Sequence, residues 1–232
     1  GAIADDYDKK TGQGKSTPGT SNDNLFLEGK GFFLTKTAEG KSVYTRLGEF
    51  KFDGEGVYRA KNGNTVQGYI LNDKGEIMQG TKSVSQDLYE QTALKGGSLD
   101  IPTTNIKMWI DPANGKYLGK YDDYEIKEDG TIYGKADGGN RSVPLYKIAT
   151  ANFHNPNGLY EVKDGLFVET PESGKPVVGR GEIRSGLLEQ ANTDFKANMS
   201  GYQQAKVQME LVNALIKSNK DLLQSAMEMA TQ

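Results

Sequence analysis

The sequence predicts a mainly β fold: an antiparallel, hairpin-rich β domain with a small β insertion and a long C-terminal amphipathic α-helix. Three observations predict it. Between Leu25 and Leu188, short runs rich in β-branched and aromatic residues alternate with Asp/Asn/Gly turns, the pattern of antiparallel hairpins. All but one of the 29 glycines lie at or before Gly186. After Gly201 there is neither glycine nor proline, and apolar residues return every three or four positions, the period of one helix face.

These features divide the chain into an N-terminal arm (1–24), a β-rich core domain (25–84 and 141–190), an insertion with a β hairpin (85–140) and an assembly helix (191–232). The arm is polar and carries Gly12, Gly14, Pro18 and Gly19, so it reads as extended or loosely held. In the core domain, Leu25-Phe26-Leu27 leads through Gly29-Lys30-Gly31, read as a hairpin turn or bulge, into Phe32-Phe33-Leu34. Val43-Tyr44-Thr45 follows, and Phe50 and Phe52 alternate before the turn Asp53-Gly54-Glu55-Gly56. Val66 to Leu71 and Ile77-Met78 flank Asn72-Asp73-Lys74-Gly75.

Residues 85–105 are less decided. Ser85 to Lys95 fits either a short helical turn or a loop, ended by Gly96-Gly97, and Ile101-Pro102 opens another extended piece. Met108, Trp109 and Ile110 form a strand closed by the turn from Asp111 to Gly115. Tyr124 and Ile126 pair with Ile132 and Tyr133 across Lys127-Glu128-Asp129-Gly130, and Gly134 to Asn140 reads as loop. Strands resume at Val143 to Phe153, with later runs at Leu166–Val168, Val177-Val178 and Ile183 to Leu188.

The last segment opens with Asn192, Thr193 and Asp194, side chains that cap free N–H groups in a first helical turn. The candidate assembly interface is its apolar stripe, chiefly Phe195, Met199, Tyr202, Met209, Val212, Ile216 and Leu223. At 1.5 Å per residue the helix is roughly 55–60 Å long, more than a small domain needs to cover its core. Two readings fit: a helix folded back on its own domain, or a coiled-coil-like element seeking another helix.

Composition narrows the chemistry. The 232 residues are only 35% hydrophobic and carry a formal net charge of −3, which gives no basic surface for nucleic acid. No apolar run reaches the ~20 residues of a membrane helix. The absence of cysteine excludes disulfides, zinc-thiolate sites and cysteine nucleophiles. His154 is the sole histidine and no serine sits in a nucleophile motif, so a surface or turn-packing role suits it better than a triad. Asp122-Asp123 and Asp53-Gly54-Glu55 lack the alternate-position oxygen spacing of a calcium loop. Gly29-Lys30-Gly31 lacks the spacing of a phosphate loop and enters a strand. No catalytic residue, cofactor or metal is expected. The alternative function is a secreted β-rich module that binds glycans or host surfaces through Trp109 and nearby tyrosines.

Four segments, in this order, resemble the bacterial flagellar hook and basal-body rod family. They are Leu25-Phe26-Leu27-Glu28-Gly29-Lys30-Gly31-Phe32-Phe33; Tyr44-Thr45-Arg46-Leu47-Gly48-Glu49-Phe50-Lys51-Phe52-Asp53; Ala151-Asn152-Phe153-His154-Asn155-Pro156-Asn157-Gly158-Leu159; and Gly186-Leu187-Leu188-Glu189-Gln190-Ala191-Asn192-Thr193-Asp194. The resemblance implies a homo-oligomeric, tubular polymer with helices as a coiled-coil inner layer and the β domain as outer wall. It implies neighbouring rod and hook axial proteins as partners and a place in the flagellar basal body or hook. It also implies export without a cleaved signal peptide, while charge and hydropathy, as above, lead to the expectation of no nucleic-acid partner and no membrane insertion. Chain length points to the rod type, particularly the distal rod, and the insertion keeps a short hook type open.

Overall fold

The computed structural model describes residues 13–98, 101–108, 123–163 and 165–190. The expected C-terminal helix, with Phe195, Met199, Tyr202, Met209, Val212, Ile216 and Leu223, lies outside the described residues, as does Trp109. What is described is antiparallel β structure with one α-helix and one 3-10 turn.

The main sheet has 13 strands. Its longest path runs Asp123–Ile126, Thr131–Ala136, Arg141–Ile148, Thr65–Ile70, Phe32–Lys36, Ser42–Thr45, Leu166–Val168 and Tyr160–Lys163. Turn chemistry explains several of the joints. Asp129 Oδ1 accepts from the Thr131 amide at 2.9 Å, and Gly130 takes φ +82°; the hairpin then pairs Ile126 with Ile132. Asp53 Oδ1 accepts from Glu55 and Val57 amides, both at 2.9 Å, closing the turn between Phe50–Phe52 and Tyr58–Ala60. Such Asx turns hold a reversal locally, before any tertiary contact forms.

Alternation within strands distributes side chains between faces. Phe33 enters the largest core cluster with Leu25, Leu27, Phe50, Tyr58 and Ile148. Its neighbour Phe32 points the other way, into a cluster with Tyr44, Ala151, Phe153 and Phe167. The centre of the sheet is tight. Gly68 pairs with Ile148 on one side and Thr104 on the other. A Cβ there would lie 2.9 Å from both Ile106 Cγ1 and the Lys147 carbonyl.

The undecided segment after Val84 is a helix, Gln86–Leu94, capped by Ser85, whose hydroxyl accepts from the Leu88 amide at 3.2 Å. Tyr89 and Ala93, one turn apart, are its buried residues. Of the two readings of the arm, the extended one describes residues 16–18, a strand, and the loop after it is held by Asn24. Three other expectations are corrected. Gly29-Lys30-Gly31 is a corner, not a hairpin turn or bulge. Leu25–Glu28 pairs with Glu182–Ser185, whereas Phe32–Lys36 pairs with Ser42–Thr45. The stretch from Gly134 is strand as far as Ala136, since Thr131–Ala136 pairs with Arg141–Ile148. The run into Leu188 is two strands, Glu182–Ser185 and Leu187–Glu189, broken where Gly186 takes φ +76°.

Candidate assembly junction

The polar centre of the described residues is the Arg46 guanidinium. It sits just past the Ser42–Thr45 strand and is buried, with 10% of its side chain exposed. Nη2 donates to the Leu27 carbonyl at 2.7 Å, and Nη1 to the carbonyls of Gly29 and Gly31 at 3.0 and 2.8 Å. Nε donates to Glu189 Oε2 at 2.7 Å and Oε1 at 3.0 Å. The Gly29 and Gly31 carbonyls belong to the corner, and the Leu27 carbonyl to the strand Leu25–Glu28 that leads into it. The corner needs its glycines: Gly29 and Gly31 hold φ +91° and +131°.

Glu189, itself 7% exposed, completes the network. Its Oε1 accepts from the Gly14 amide at 2.6 Å. A buried carboxylate is tolerable only when a cation and hydrogen bonds compensate its lost hydration, and here both are present. The backbone reinforces the same link. Ser16–Pro18 pairs antiparallel with Leu187–Glu189, in the register Ser16 with Glu189 and Pro18 with Leu187. The Gln190 amide donates to the Lys15 carbonyl at 2.7 Å.

A second latch lies beside this one. Asn24 Oδ1 accepts from the Thr20 and Ser21 amides at 2.8 and 3.2 Å, and its Nδ2 donates to the Phe50 carbonyl at 3.4 Å. The Gly186 amide donates to Asn24 O, and the Gly19 amide to Gly186 O, both at 2.8 Å. Fully buried Tyr58 donates its hydroxyl to the Asp23 carbonyl at 2.5 Å. Asp23 Oδ1 is buried with no hydrogen-bond partner among the described residues. Burial pushes the Asp23 carboxyl above its ordinary value of 3.8, although the Ser21 and Phe52 hydrogen bonds and Lys51 pull it down.

The four segments singled out in the sequence therefore meet. Arg46 joins the first, second and fourth directly. The third enters through Ala151, paired with Phe32, and Phe153, whose ring stands edge-on to Tyr44 at 4.8 Å and Phe32 at 6.1 Å. His154, the one histidine, is exposed.

Fold and junction define a class: an antiparallel β module whose first and last described strands are stapled side by side. Residues 26–134 match the flagellar hook protein FlgE/F/G D1 domain, and this match together with the relatives that follow supports a flagellar hook and rod protein family. It is 35% identical over 165 residues to the flagellar hook protein FlgE of Borreliella burgdorferi, covering 62% of this chain and 36% of that one. It is 24% identical over 217 residues to the flagellar basal-body rod protein FlgG of the same organism, covering 91% and 66%. The Caulobacter vibrioides rod protein FlgG matches at 24% over 225 residues, covering 94% and 69%. The chain thus spans about a third of the hook relative and about two thirds of the rod relatives. These relatives are structural flagellar proteins, not enzymes.

Sequence reading selected the segments but missed the residues that join them: Arg46, Glu189, Gly14 and Asn24. Only one signal pointed there: Arg46 and Glu189 both lie inside the segments that carry the resemblance.

Proposed function

We propose that this chain is a structural subunit of the bacterial flagellar rod or hook. It self-assembles into a tubular axial polymer that transmits motor torque, and it catalyses nothing. The observation that carries the reading is the Arg46 junction, where the segments shared with hook and rod proteins are tied together. A subunit loaded in torsion needs its two ends to move as one body. Arg46, Glu189 and the pairing of Ser16–Pro18 with Leu187–Glu189 do this with a buried ion pair and a backbone ladder.

In this reading the β body is the outer wall, and the stripe Phe195, Met199, Tyr202, Met209, Val212, Ile216 and Leu223 packs against the helices of neighbouring copies. The partners are further copies and the adjoining axial proteins of rod and hook. The chain reaches the basal body or hook through the flagellar export channel without a cleaved signal peptide. Deleting residues 195–232 tests it: incorporation and motility are lost while the β body stays folded. A deletion strain that still assembles the chain and swims normally would refute the proposal.

A further inference from the structure

Three Asn-Gly pairs occur in the chain: Asn62-Gly63, Asn114-Gly115 and Asn157-Gly158. The middle one lies outside the described residues. Such a pair carries its own chemistry. With no Cβ on the glycine, its amide nitrogen can approach the carbonyl carbon of the asparagine side chain. Both described pairs start from a similar bond. The Gly63 amide donates to the Ala60 carbonyl at 2.9 Å and the Gly158 amide to the Asn155 carbonyl at 3.1 Å. Each nitrogen must give up that bond before it can attack.

Their surroundings differ. Asn62 and Gly63 are exposed at the tip of the hairpin that joins Tyr58–Ala60 to Thr65–Ile70. Gly63 takes φ +88°, and a Cβ there would meet nothing within 4 Å. Asn62 Oδ1 accepts from the Asn64 amide at 3.0 Å, so a donor already stands where negative charge develops when Cγ is attacked. The other pair is clamped. A Cβ on Gly158 would lie 2.6 Å from Glu172 C and Ser173 N, and the Gly158 carbonyl accepts from the Thr170 hydroxyl at 2.5 Å. Turning the peptide unit ahead of Gly158 drives that residue against the 170–173 loop.

We infer that Asn62-Gly63 is a site of spontaneous covalent modification, at which the folded chain converts Asn62 to aspartate and isoaspartate, while packing protects Asn157-Gly158. Hydroxide removes the Gly63 amide proton, and the nitrogen bonds to Asn62 Cγ. The bond from Cγ to Nδ2 breaks, and Nδ2 leaves with a proton from water as ammonia. Water then opens the resulting succinimide at either of its carbonyl–nitrogen bonds. One opening gives aspartate; the other gives isoaspartate, with an extra methylene in the main chain. Either product puts a carboxylate next to Lys61, whose ammonium Glu49 now holds at 2.9 Å. The longer main chain of isoaspartate also breaks the close of the hairpin, where the Ala60 amide donates to the Asn64 carbonyl at 2.9 Å and Arg59 pairs with Thr65.

The test is incubation of the full-length chain at mildly alkaline pH, followed by peptide mapping by mass. Methyl transfer by protein-isoaspartate methyltransferase marks the isoaspartate product, and the map separates the Asn114 peptide from the other two. Asn62 should convert at least about tenfold faster than Asn157, because the clamped pair waits on local opening of its loop. In urea, where neither turn survives, the two rates should converge. Asn62→Gln, at an exposed position, should abolish the methyl label on its own peptide and leave the Asn157 peptide unchanged. Equal rates at the two sites in the folded chain, a faster rate at Asn157, or no conversion at Asn62 would overturn the inference.

Discussion

At the scale of the residue, Arg46 matters because a guanidinium is planar, always charged and carries donors in a fixed fork. A lysine could reach Glu189 but could not also satisfy the carbonyls of Leu27, Gly29 and Gly31. Arg46→Met leaves Glu189 buried without its cation and is expected to cost about 3–5 kcal/mol, measured by urea denaturation. Arg46→Met combined with Glu189→Leu removes both charges and should recover much of that loss, because the uncompensated charge is gone. Equal losses in the single and double variants would show that the ion pair is incidental.

Asp23 gives a second residue-scale prediction, with the opposite sign from a paired carboxylate. Its folded pKa lies above 3.8, chiefly through burial. Its contribution to stability is therefore fully present below 3.8 and lost as pH rises through the folded value. Asp23→Asn should raise the melting temperature at neutral pH, with the advantage shrinking in acid. Thermal melts across that range check it; a variant less stable at neutral pH would show that the ionised form is satisfied.

At the scale of the element, close approach of backbones decides which glycines matter. A Cβ on Gly48 would stand 1.7 Å from the Leu25 carbonyl oxygen, and the Leu25 amide donates to Gly48 O at 2.9 Å. Gly48→Ala must push the two strand ends apart, at about 2–3 kcal/mol. Gly54, in the Asp53–Gly56 turn, meets nothing within 4 Å, so Gly54→Ala should stay within about 0.5 kcal/mol. Equal effects in the two variants would contradict this account of the Gly48–Leu25 approach.

The same scale shows what could be read from the chain. Strands closed by Asx turns were legible, because Asp53 and Asp129 fix their reversals with bonds to residues two to four positions away. The Gly29–Gly31 corner was misread as a hairpin turn or bulge because the local signal of a corner and of a hairpin is the same. They differ only in the partners of the flanking strands, Glu182–Ser185 and Ser42–Thr45, and the first of these is far away in sequence. The Arg46–Glu189 pair spans 143 residues, and no local period marks it. The proposed assembly stripe was the most regular signal in the sequence, yet its residues lie outside those described.

At the scale of the whole molecule, the junction gathers the arm, the first corner, the Ser42–Thr45 strand and the last described strand into one body. The central claim is that this body is one wall unit of a flagellar axial polymer. The most direct measurement is mass spectrometry of purified hook–basal bodies, with immunogold labelling to place the chain on the rod or hook. The account predicts the chain there in many copies, and its loss from the particles when residues 195–232 are deleted. Particles that lack it, together with a full-length chain that stays monomeric at high concentration, would contradict the account.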